Sequence, residues 1–237
     1  MNPYIAAAVA EMDKVNVSRL EHPGSWAMDP ASCRFVAAFA RALEARRVME
    51  FGSGFSTLML AREIEPHEDN YLLSVDDSPR YSALAKEAME TSACQAKVEF
   101  RVAPLRPRLY GPRLLLSYAL PKGLVGAMGP FDLALIDAPH DSWNPEAVLY
   151  DVFPALDLGG YALIDDANAP GRAATMTAWR AAFGEAADFI HLEGIGNGLL
   201  AIEKLSDDGP QYPFKGALSA SAKTIADFAR TFSGDRE

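Results

Sequence analysis

The stretch that decides the fold is "RVMEFGSGFSTLMLA", which runs from Arg47 to Ala61. Its first five residues are mostly apolar, Gly-Ser-Gly then interrupts the run, and a helix-compatible segment follows. Glycines at Gly52 and Gly54 allow the backbone to turn sharply and to approach a ligand with no Cβ atom in the way. The pattern therefore predicts a strand, a tight turn and a helix, with a ligand site at the turn.

Strand-like and helix-like segments alternate on both sides of this stretch. The strand candidates are, in order, RRVMEFG, YLLSVDD, KVEFRVA, FDLALIDA and GGYALIDD. Helix starts are marked by Asp29 before Pro30 and by Ser78 before Pro79, each a capping side chain followed by proline at the first helical position. Because nearly continuous apolar strands separated by helices are typical of a parallel sheet covered on both faces, we predict a Rossmann-like, doubly wound α/β fold.

Two last strand candidates, DFIHLEG and GLLAIEKL, follow each other through a short glycine-rich link. Such a link predicts an antiparallel hairpin at one edge, which brings the sheet to seven strands. We divide the chain into an N-terminal helical cap at 1–29, the main domain at 30–205 and a C-terminal extension at 206–237 that ends in a helix.

Composition narrows the classes of function. A hydrophobic content of 49% over 237 residues suits one sizeable core, and a net charge of −10 disfavours nucleic acid as a partner. The basic stretch RVAPLRPRLYGPR, Arg101 to Arg113, is expected to be an irregular loop with solvated arginines. No apolar run approaches the roughly 18 residues of a membrane span, so we predict no membrane partner.

Cysteine use and the N-terminus suggest a compartment. Cys33 and Cys94 are far apart and lack metal-ligand spacing, so both are expected to be reduced thiols. The N-terminus lacks the basic start and apolar run of a signal peptide, and we predict a cytoplasmic protein. A homodimer is an assembly state that the sequence leaves open.

Two ligands compete for the Gly-Ser-Gly turn. A dinucleotide fingerprint needs glycine or alanine where this chain has Thr57, and its pyrophosphate would be repelled by Glu50, two residues before the first glycine. S-adenosylmethionine instead carries a cationic ammonium and sulfonium, which favour an acid at the strand end. The pattern E-x-G-x-G, Glu50 to Gly54, followed by FST with Ser56, resembles the motif of many bacterial small-molecule methyltransferases.

The second strand supports this interpretation. Asp76 ends that strand and is in register to accept hydrogen bonds from ribose hydroxyls, while Asp77 beside it points to the other face. The predicted cofactor-binding set is Glu50, Gly52, Gly54, Ser56, Asp76, Asp77 and Asp137.

Acids also end the fourth and fifth predicted strands, at Asp137 and at Asp165 and Asp166. Since the ends of adjacent parallel strands converge, these carboxylates would repel one another unless they were protonated or neutralised by a cation. Hard oxygen ligands favour Mg²⁺, so we predict a magnesium site at Asp137, Asp165 and Asp166.

These segments resemble the metal-dependent catechol O-methyltransferase-like family, a branch of the class I S-adenosylmethionine-dependent methyltransferases. "DDANAPG" is similar to the family's metal motif, with Asp166 where asparagine is usual, and "GIGNGLLAIEK" is similar to its closing hairpin. In "DAPH", His140 stands where the family has a catalytic lysine. The resemblance covers about 30–204 and rests on four or five short motifs.

The resemblance implies methyl transfer from S-adenosylmethionine to a hydroxyl of a small molecule, with Asp137 and His140 as catalytic residues. Metal-free O- or N-methylation on the same fold is the first alternative, followed by an NAD(P)-dependent oxidoreductase and a non-catalytic interaction module. The insert at 104–124 is expected to shape the acceptor pocket or a subunit contact, with Arg106 or Arg108 meeting an acidic substrate group.

Overall fold

A computed structural model of the chain describes residues 2–16, 28–64, 67–92, 94, 96–139 and 145–232. Within these ranges the strands are β1 Arg47–Phe51, β2 Tyr71–Asp76, β3 Val98–Val102, β4 Leu105–Tyr110, β5 Arg113–Tyr118, β6 Phe131–Ile136, β7 Leu156–Ile164, β8 Ala187–Leu192 and β9 Leu199–Lys204. The α-helices are α1 Pro3–Glu11, α2 Pro30–Ala42, α3 Phe55–Glu63, α4 Pro79–Thr91, α5 Leu124–Met128, α6 Glu146–Val152, α7 Arg172–Phe183 and α8 Ala217–Phe232.

The main sheet has seven strands in the order β3-β2-β1-β6-β7-β9-β8. Strand β1 pairs in parallel with β2 and β6, β6 pairs in parallel with β7, and β9 is antiparallel to both of its neighbours. This confirms the predicted doubly wound sheet with an antiparallel hairpin at one edge. Because strand order reverses beside β1, the carboxyl ends of β1 and β6 flank the crevice where such sheets bind ligands.

Each face of the sheet has its own hydrophobic core. On β1, Met49 and Phe51 belong to the core shared with α6 and α7, whereas Val48 belongs to the core shared with α2 and α3. The alternation follows the two-residue period of a strand. Burial on both faces explains why the central strands are apolar throughout, and it fixes the register that places their ends at one edge.

Both predicted helix starts are confirmed. Asp29 caps α2, where its Oδ1 accepts from the backbone N–H of Ala31 at 2.8 Å and of Ser32 at 3.1 Å. Ser78 caps α4 and accepts from the N–H of Tyr81 at 3.4 Å. These caps supply partners for N–H groups that the first helical turn leaves unpaired.

The basic stretch predicted to be an irregular loop is instead regular structure. Strands β4 and β5 form a separate two-stranded antiparallel sheet, and Pro107 lies within β4, which has a partner on one side only. Such an edge tolerates proline because one side of the strand makes no ladder hydrogen bonds. Arg113 is not solvated either, because its Nε lies 2.6 Å from Oε1 of buried Glu146.

The predicted C-terminal helix is present as α8, and the β4–β5 hairpin holds it. Nη1 of Arg113 donates to the carbonyl of Lys215 at 2.9 Å, and the N–H of Leu114 donates to Oγ of Ser221 at 2.9 Å. These bonds fix α8 against β5 beside the starts of α6 and α7. Across the described ranges, every helix is too short or too polar to traverse a lipid bilayer.

Candidate active site

Three hydrogen bonds join the carboxyl ends of four neighbouring strands. The N–H of Gly52 donates to Val75 O at 2.9 Å, that of Asp137 to Phe51 O at 2.9 Å, and that of Asp165 to Ile136 O at 3.1 Å. They connect β2, β1, β6 and β7 in that order across the sheet. The described members of the predicted cofactor and metal sets therefore follow one continuous edge, which we call the acidic rim where it carries Asp137, Asp165 and Asp166.

Glu50 lies beneath the Gly-Ser-Gly turn and is fully buried. Its Oε1 accepts from the Ser56 hydroxyl at 2.5 Å, and its Oε2 accepts from Thr57 at 2.6 Å and Ser74 at 2.9 Å. Thr57 Oγ1 also accepts from the N–H of Gly54 at 2.9 Å, so the carboxylate is linked to the turn itself. Glu50 thus holds the turn from below, and Ser56, a predicted cofactor contact, is part of this support.

The titration of Glu50 reflects two opposing effects. Burial raises the pKa of its carboxyl group to about 7, while the hydroxyls of Ser56, Thr57 and Ser74 act in the opposite direction. The nearby charge of Asp76 raises the pKa further. Hydrogen bonds to the ionised form therefore offset only part of the desolvation penalty.

Asp76 ties the first turn to the second. Its Oδ2 accepts from the N–H of Ser53 at 2.7 Å and its Oδ1 accepts from the N–H of Ser78 at 2.6 Å. Asp77 follows it and is partly exposed. Asp76 therefore holds the turn after β1 and the segment that leads into α4 to the end of β2.

The two glycines of the turn have different surroundings. Gly52 has φ +104°, and a Cβ there would lie 3.2 Å from Cβ of Ala138 and 3.3 Å from the carbonyl of Asp137. Gly54 has extended backbone, and a Cβ there would meet nothing within 4 Å. Gly52 is required by the fold, whereas Gly54 borders open space that a ligand can occupy.

The acidic rim concentrates unfavourable charge. Burial raises the pKa of Asp137 well above its ordinary value, and the charges of Asp165 and Asp166 raise it further. Burial likewise raises the pKa of Asp165 to about 7, with the charge of Asp166 adding to the rise. Asp166 has φ +55°, a left-handed conformation that Asp and Asn tolerate better than most residues. The rim thus favours a proton or an added cation.

The predicted magnesium ligands Asp137, Asp165 and Asp166 lie along this rim. Among the described residues, no three His, Cys, Asp or Glu side chains form a group that could hold a metal ion, so the three-carboxylate magnesium site stays a prediction. Asp165 Oδ1 is nevertheless buried, and it has no hydrogen-bond partner among the residues that the structure describes. Mg²⁺ commonly uses only one or two carboxylates and completes its shell with water. The donor chemistry of Asp137 and Asp165 fits such an ion.

The start of α2 borders the rim, which the sequence did not indicate. The Ser32 hydroxyl lowers the pKa of Asp165, partly offsetting burial and the charge of Asp166. Burial raises the pKa of the Cys33 thiol well above its ordinary value, and the charges of Asp137 and Asp165 act in the same direction. Cys33 and Cys94 are free cysteines, as predicted. Asp29 was recognised as a cap, but no local signal in the sequence placed it near the rim.

Arg172 is a second residue that sequence reasoning missed. Its Nε donates to the carbonyl of Asp166 at 3.3 Å. Burial lowers the pKa of its guanidinium group, while the charges of Asp166, Asp165 and Asp137 oppose that change. Arg172 therefore supplies a cation beside the rim, and its position six residues after Asp166 is the signal that could have suggested it.

Other predicted residues lie elsewhere. His140 is outside the described residues, so its role as a base stays a prediction. On the β4–β5 hairpin, Arg108 Nη1 donates to Asp151 Oδ2 at 3.2 Å, and Arg106 Nη1 donates to the carbonyl of Leu105 at 3.1 Å. Arg108 therefore pairs with α6, and neither contact connects these arginines to the acidic rim.

Known proteins share this fold and part of this sequence. The catechol O-methyltransferase of Mycobacterium tuberculosis is 30% identical over 143 residues, which are 60% of this chain and 55% of that protein. The match thus spans little more than half the length of this curated relative.

Two solved structures share the fold at low identity. An O-methyltransferase from Bacillus cereus in complex with SAH superposes with a TM-score of 0.57 at 16% identity, covering 86% of this chain and 92% of that chain. The O-methyltransferase TomG from Streptomyces achromogenes, in complex with SAM, gives 0.56 at 17% identity, covering 87% and 91%.

A family model described as a methyltransferase domain matches residues 49–167, just over half of the chain. The match begins within β1, contains the Gly-Ser-Gly turn and the whole acidic rim, and ends just after Asp166. The sequence-based assignment to the class I methyltransferases is confirmed, and the chain belongs to the methyltransferase domain family.

Proposed function

We propose that this protein transfers the methyl group of S-adenosylmethionine to a hydroxyl group of a small molecule. The observation that carries the proposal is the edge formed by β2, β1, β6 and β7, where a preorganised glycine turn adjoins buried carboxylates. The relative named catechol O-methyltransferase and the two O-methyltransferase structures with bound SAM or SAH support the same chemistry.

The cofactor would occupy the edge along β1 and β2. Its methionine part would lie over Gly54, where the backbone borders open space, and its ribose hydroxyls would donate to Asp76. Glu50 would act from beneath by fixing the turn through Thr57 rather than by facing solvent. The negative charge of the rim suits a ligand that carries a sulfonium.

The reaction is an in-line displacement. The acceptor oxygen forms a bond to the S-methyl carbon, the carbon–sulfur bond breaks, and its electron pair neutralises the sulfonium to give S-adenosylhomocysteine. The hydroxyl proton leaves to a base, for which His140 is the sequence-based candidate and the Asp137–Asp165 pair is the described one. The protein's main contribution is alignment of the two reactants, which can supply several kcal/mol of the barrier reduction.

The proposal includes a magnesium ion that is held by two carboxylates and not by three. Asp137 and Asp165 would hold it, with Asp166 beside them. When bound, the ion would lower the pKa of the acceptor hydroxyl by Lewis-acid action. Arg172 also supplies positive charge next to the rim, because its guanidinium interacts with the charges of Asp166, Asp165 and Asp137.

Calorimetric titration tests the cofactor assignment. We expect S-adenosylhomocysteine to bind and NADH to give no heat, because Thr57 and Glu50 occupy positions that disfavour a pyrophosphate. Binding of NADH without binding of S-adenosylhomocysteine would replace the proposal with an oxidoreductase. Binding of neither would leave the interaction-module alternative.

Methyl-transfer assays test the catalytic groups, with a radiolabelled donor and a panel of small hydroxylated acceptors. We expect EDTA to reduce turnover and added Mg²⁺ to restore it. Full activity in EDTA would support the metal-free alternative. The His140→Ala variant should lose turnover while keeping its affinity for S-adenosylhomocysteine, and unchanged turnover would remove His140 as the base.

A further inference from the structure

A cavity of about 690 Å³ lies between α7, α8 and the start of α6. Its volume falls within the range of about 300 to 1,000 Å³ that is usual for small-molecule sites. It adjoins the loop that follows β7, since Pro170 and Gly171 form part of its wall. The β4–β5 hairpin contributes Arg113, and the segment leading into α8 contributes Pro213 and Lys215.

The charged side chains around this cavity are mostly positive, whereas the chain as a whole has a net negative charge. The chain has 32 acidic and 22 basic residues, yet four of the five charged side chains that line the cavity are cationic. Arg113 is already paired with Glu146 at 2.6 Å, and Lys223 with Asp227 at 2.7 Å. Lys215 has no ion-pair partner among the described residues, so its charge is available to an anion.

The remaining wall consists of short side chains, most of them apolar. Helix α7 presents Ala174, Ala178 and Ala181, and α8 presents Ala220. Short side chains on facing helices leave empty the space that larger residues would fill. Thr175, Thr177 and Ser219 also line the cavity, but the hydroxyls of Thr177 and Ser219 already donate to the carbonyls of Ala173 and Gly216. The cavity is therefore suited to an apolar body that carries an anionic group.

Arg172 connects the cavity to the acidic rim. It lines the cavity, its Nε donates to the carbonyl of Asp166, and its guanidinium interacts with the charges of Asp166, Asp165 and Asp137. Arg172 is therefore the lining residue through which a ligand in the cavity would be coupled to the rim, with Lys215 among the charged groups of the surrounding wall. Helix α7 also begins here, directly after Gly171 and with no side-chain cap, which adds favourable potential for an anion.

We propose that this cavity is the acceptor pocket and that the acceptor is a small hydroxylated carboxylic acid with an apolar or aromatic body. The carboxylate is held by Lys215 with Arg172, and the hydroxyl is directed to the acidic rim. The proposal rests on the proposed methyl transfer and names its substrate class.

The test uses protocatechuate, a catechol that carries a carboxylate, and its methyl ester, which lacks that charge. Each is titrated by calorimetry into the full chain saturated with S-adenosylhomocysteine. We expect the acid to bind about tenfold more tightly than the ester, because a charge-assisted contact exists only for the acid. Lys215→Met should remove most of that preference, while Lys86→Met, an exposed lysine on α4, should not change it.

A pair of alanines on α7 tests the location. Ala174 lines the cavity and is exposed to it, so Ala174→Trp should fill the space without disturbing the core and reduce binding of the acid about tenfold or more. Ala173→Trp places the same side chain on the same helix, outside the cavity lining, and should bind as the unmodified protein does.

The outcomes distinguish failure of this inference from failure of the proposed methyl transfer on which it rests. If S-adenosylhomocysteine fails to bind, the proposed methyl transfer itself is wrong. If it binds but protocatechuate does not, or if acid and ester bind equally, the acceptor class assigned to the cavity is wrong. Unchanged binding by Ala174→Trp would show that the acid binds elsewhere.

Discussion

The turn after β1 and the acidic rim lie on the same edge of the sheet, but their buried carboxylates differ in hydrogen bonding. Glu50, beneath the turn, accepts from three hydroxyls, and these link it to the turn and to β2. Asp137 and Asp165 instead face each other, and Asp165 Oδ1 has no hydrogen-bond partner within the described residues. The carboxylate beneath the turn thus has its hydrogen-bond partners within the protein, whereas a carboxylate oxygen of the rim does not.

The turn after β1 is therefore preorganised for binding, whereas the acidic rim holds carboxylates in an unfavourable environment. A turn whose polar groups are satisfied holds its shape and loses little entropy when a cofactor binds. At the rim, burial and neighbouring carboxylates raise the pKa of Asp137 and of Asp165, so ionisation of these groups reduces the stability of the folded state. Such a site persists where activity requires it. Substitutions at the rim should therefore stabilise the fold and remove activity, while loss of a hydrogen bond that supports the turn should weaken both.

Asp137→Asn should have the largest effect. Removing one of the facing carboxylates takes a charge out of the rim, so methyl transfer should fall about 1,000-fold, or roughly 4 kcal/mol in transition-state free energy. The same change should raise the free energy of unfolding at pH 8 by about 1 to 2 kcal/mol, because burial and the charges of Asp165 and Asp166 both disfavour the ionised Asp137. Turnover assays and urea unfolding measure the two quantities. A variant that is less stable and still active would contradict the contrast between rim and turn.

Glu50→Gln should change how stability depends on pH. The pKa of Glu50 is raised by burial to about 7 in the folded state from its ordinary value of 4.5, so the folded protein keeps this proton to higher pH than the unfolded chain does. This carboxyl therefore lowers stability as pH rises from about 4.5 to about 7, by a total of about 3 kcal/mol, and the loss is complete above that range.

The measurement is urea unfolding at a series of pH values for the unmodified protein and the Gln variant. The free energy of unfolding of the Gln variant, relative to that of the unmodified protein, should rise by about 3 kcal/mol between pH 4 and pH 8. Glu90→Gln, on the exposed face of α4, should show no such shift. A pH-independent difference for Glu50→Gln would mean that its hydroxyl partners fully offset burial.

The two glycines of the turn should separate folding from binding. Gly52→Ala forces a side chain into φ +104° and against Ala138, so it should lower the free energy of unfolding by about 2 kcal/mol. Gly54→Ala meets nothing within 4 Å and should leave stability nearly unchanged while weakening S-adenosylhomocysteine binding about tenfold. Thermal unfolding and calorimetry give both values. Equal effects of the two variants on stability would refute the distinction.

The sequence was sufficient for the main sheet because its signals are local. Continuous apolar strands and the caps Asp29 and Ser78 each report on a few neighbouring residues. The β4–β5 hairpin was missed because its strands contain Pro107 and several arginines, which mask the usual alternation. Arg113 reads as a surface residue until its partner Glu146, 33 positions away, is placed beside it.

The candidate site was predictable in part for the same reason. Parallel strands converge on one edge, so Glu50, Asp76, Asp137 and Asp165 could be grouped from strand ends alone. Nothing local indicates that Ser32 on α2 reaches Asp165, since that contact depends on how α2 packs against the sheet. Thr57 was considered only as a departure from a dinucleotide fingerprint, although its hydroxyl joins the turn to Glu50.

The Thr57 hydroxyl gives the smallest predicted effect and the closest test of preorganisation. Thr57→Val keeps the shape but leaves the N–H of Gly54 without its acceptor and Glu50 with one donor fewer, so it should cost about 1 to 2 kcal/mol of stability. Thr57→Ser keeps the hydroxyl and loses only a methyl group, which should cost about 1 kcal/mol or less. If the hydroxyl matters for binding, Thr57→Val should also weaken S-adenosylhomocysteine more than Thr57→Ser does. Equal affinities in calorimetry would mean that the turn keeps its binding geometry without this bond, and that its preorganisation comes from Asp76 and Gly52 instead.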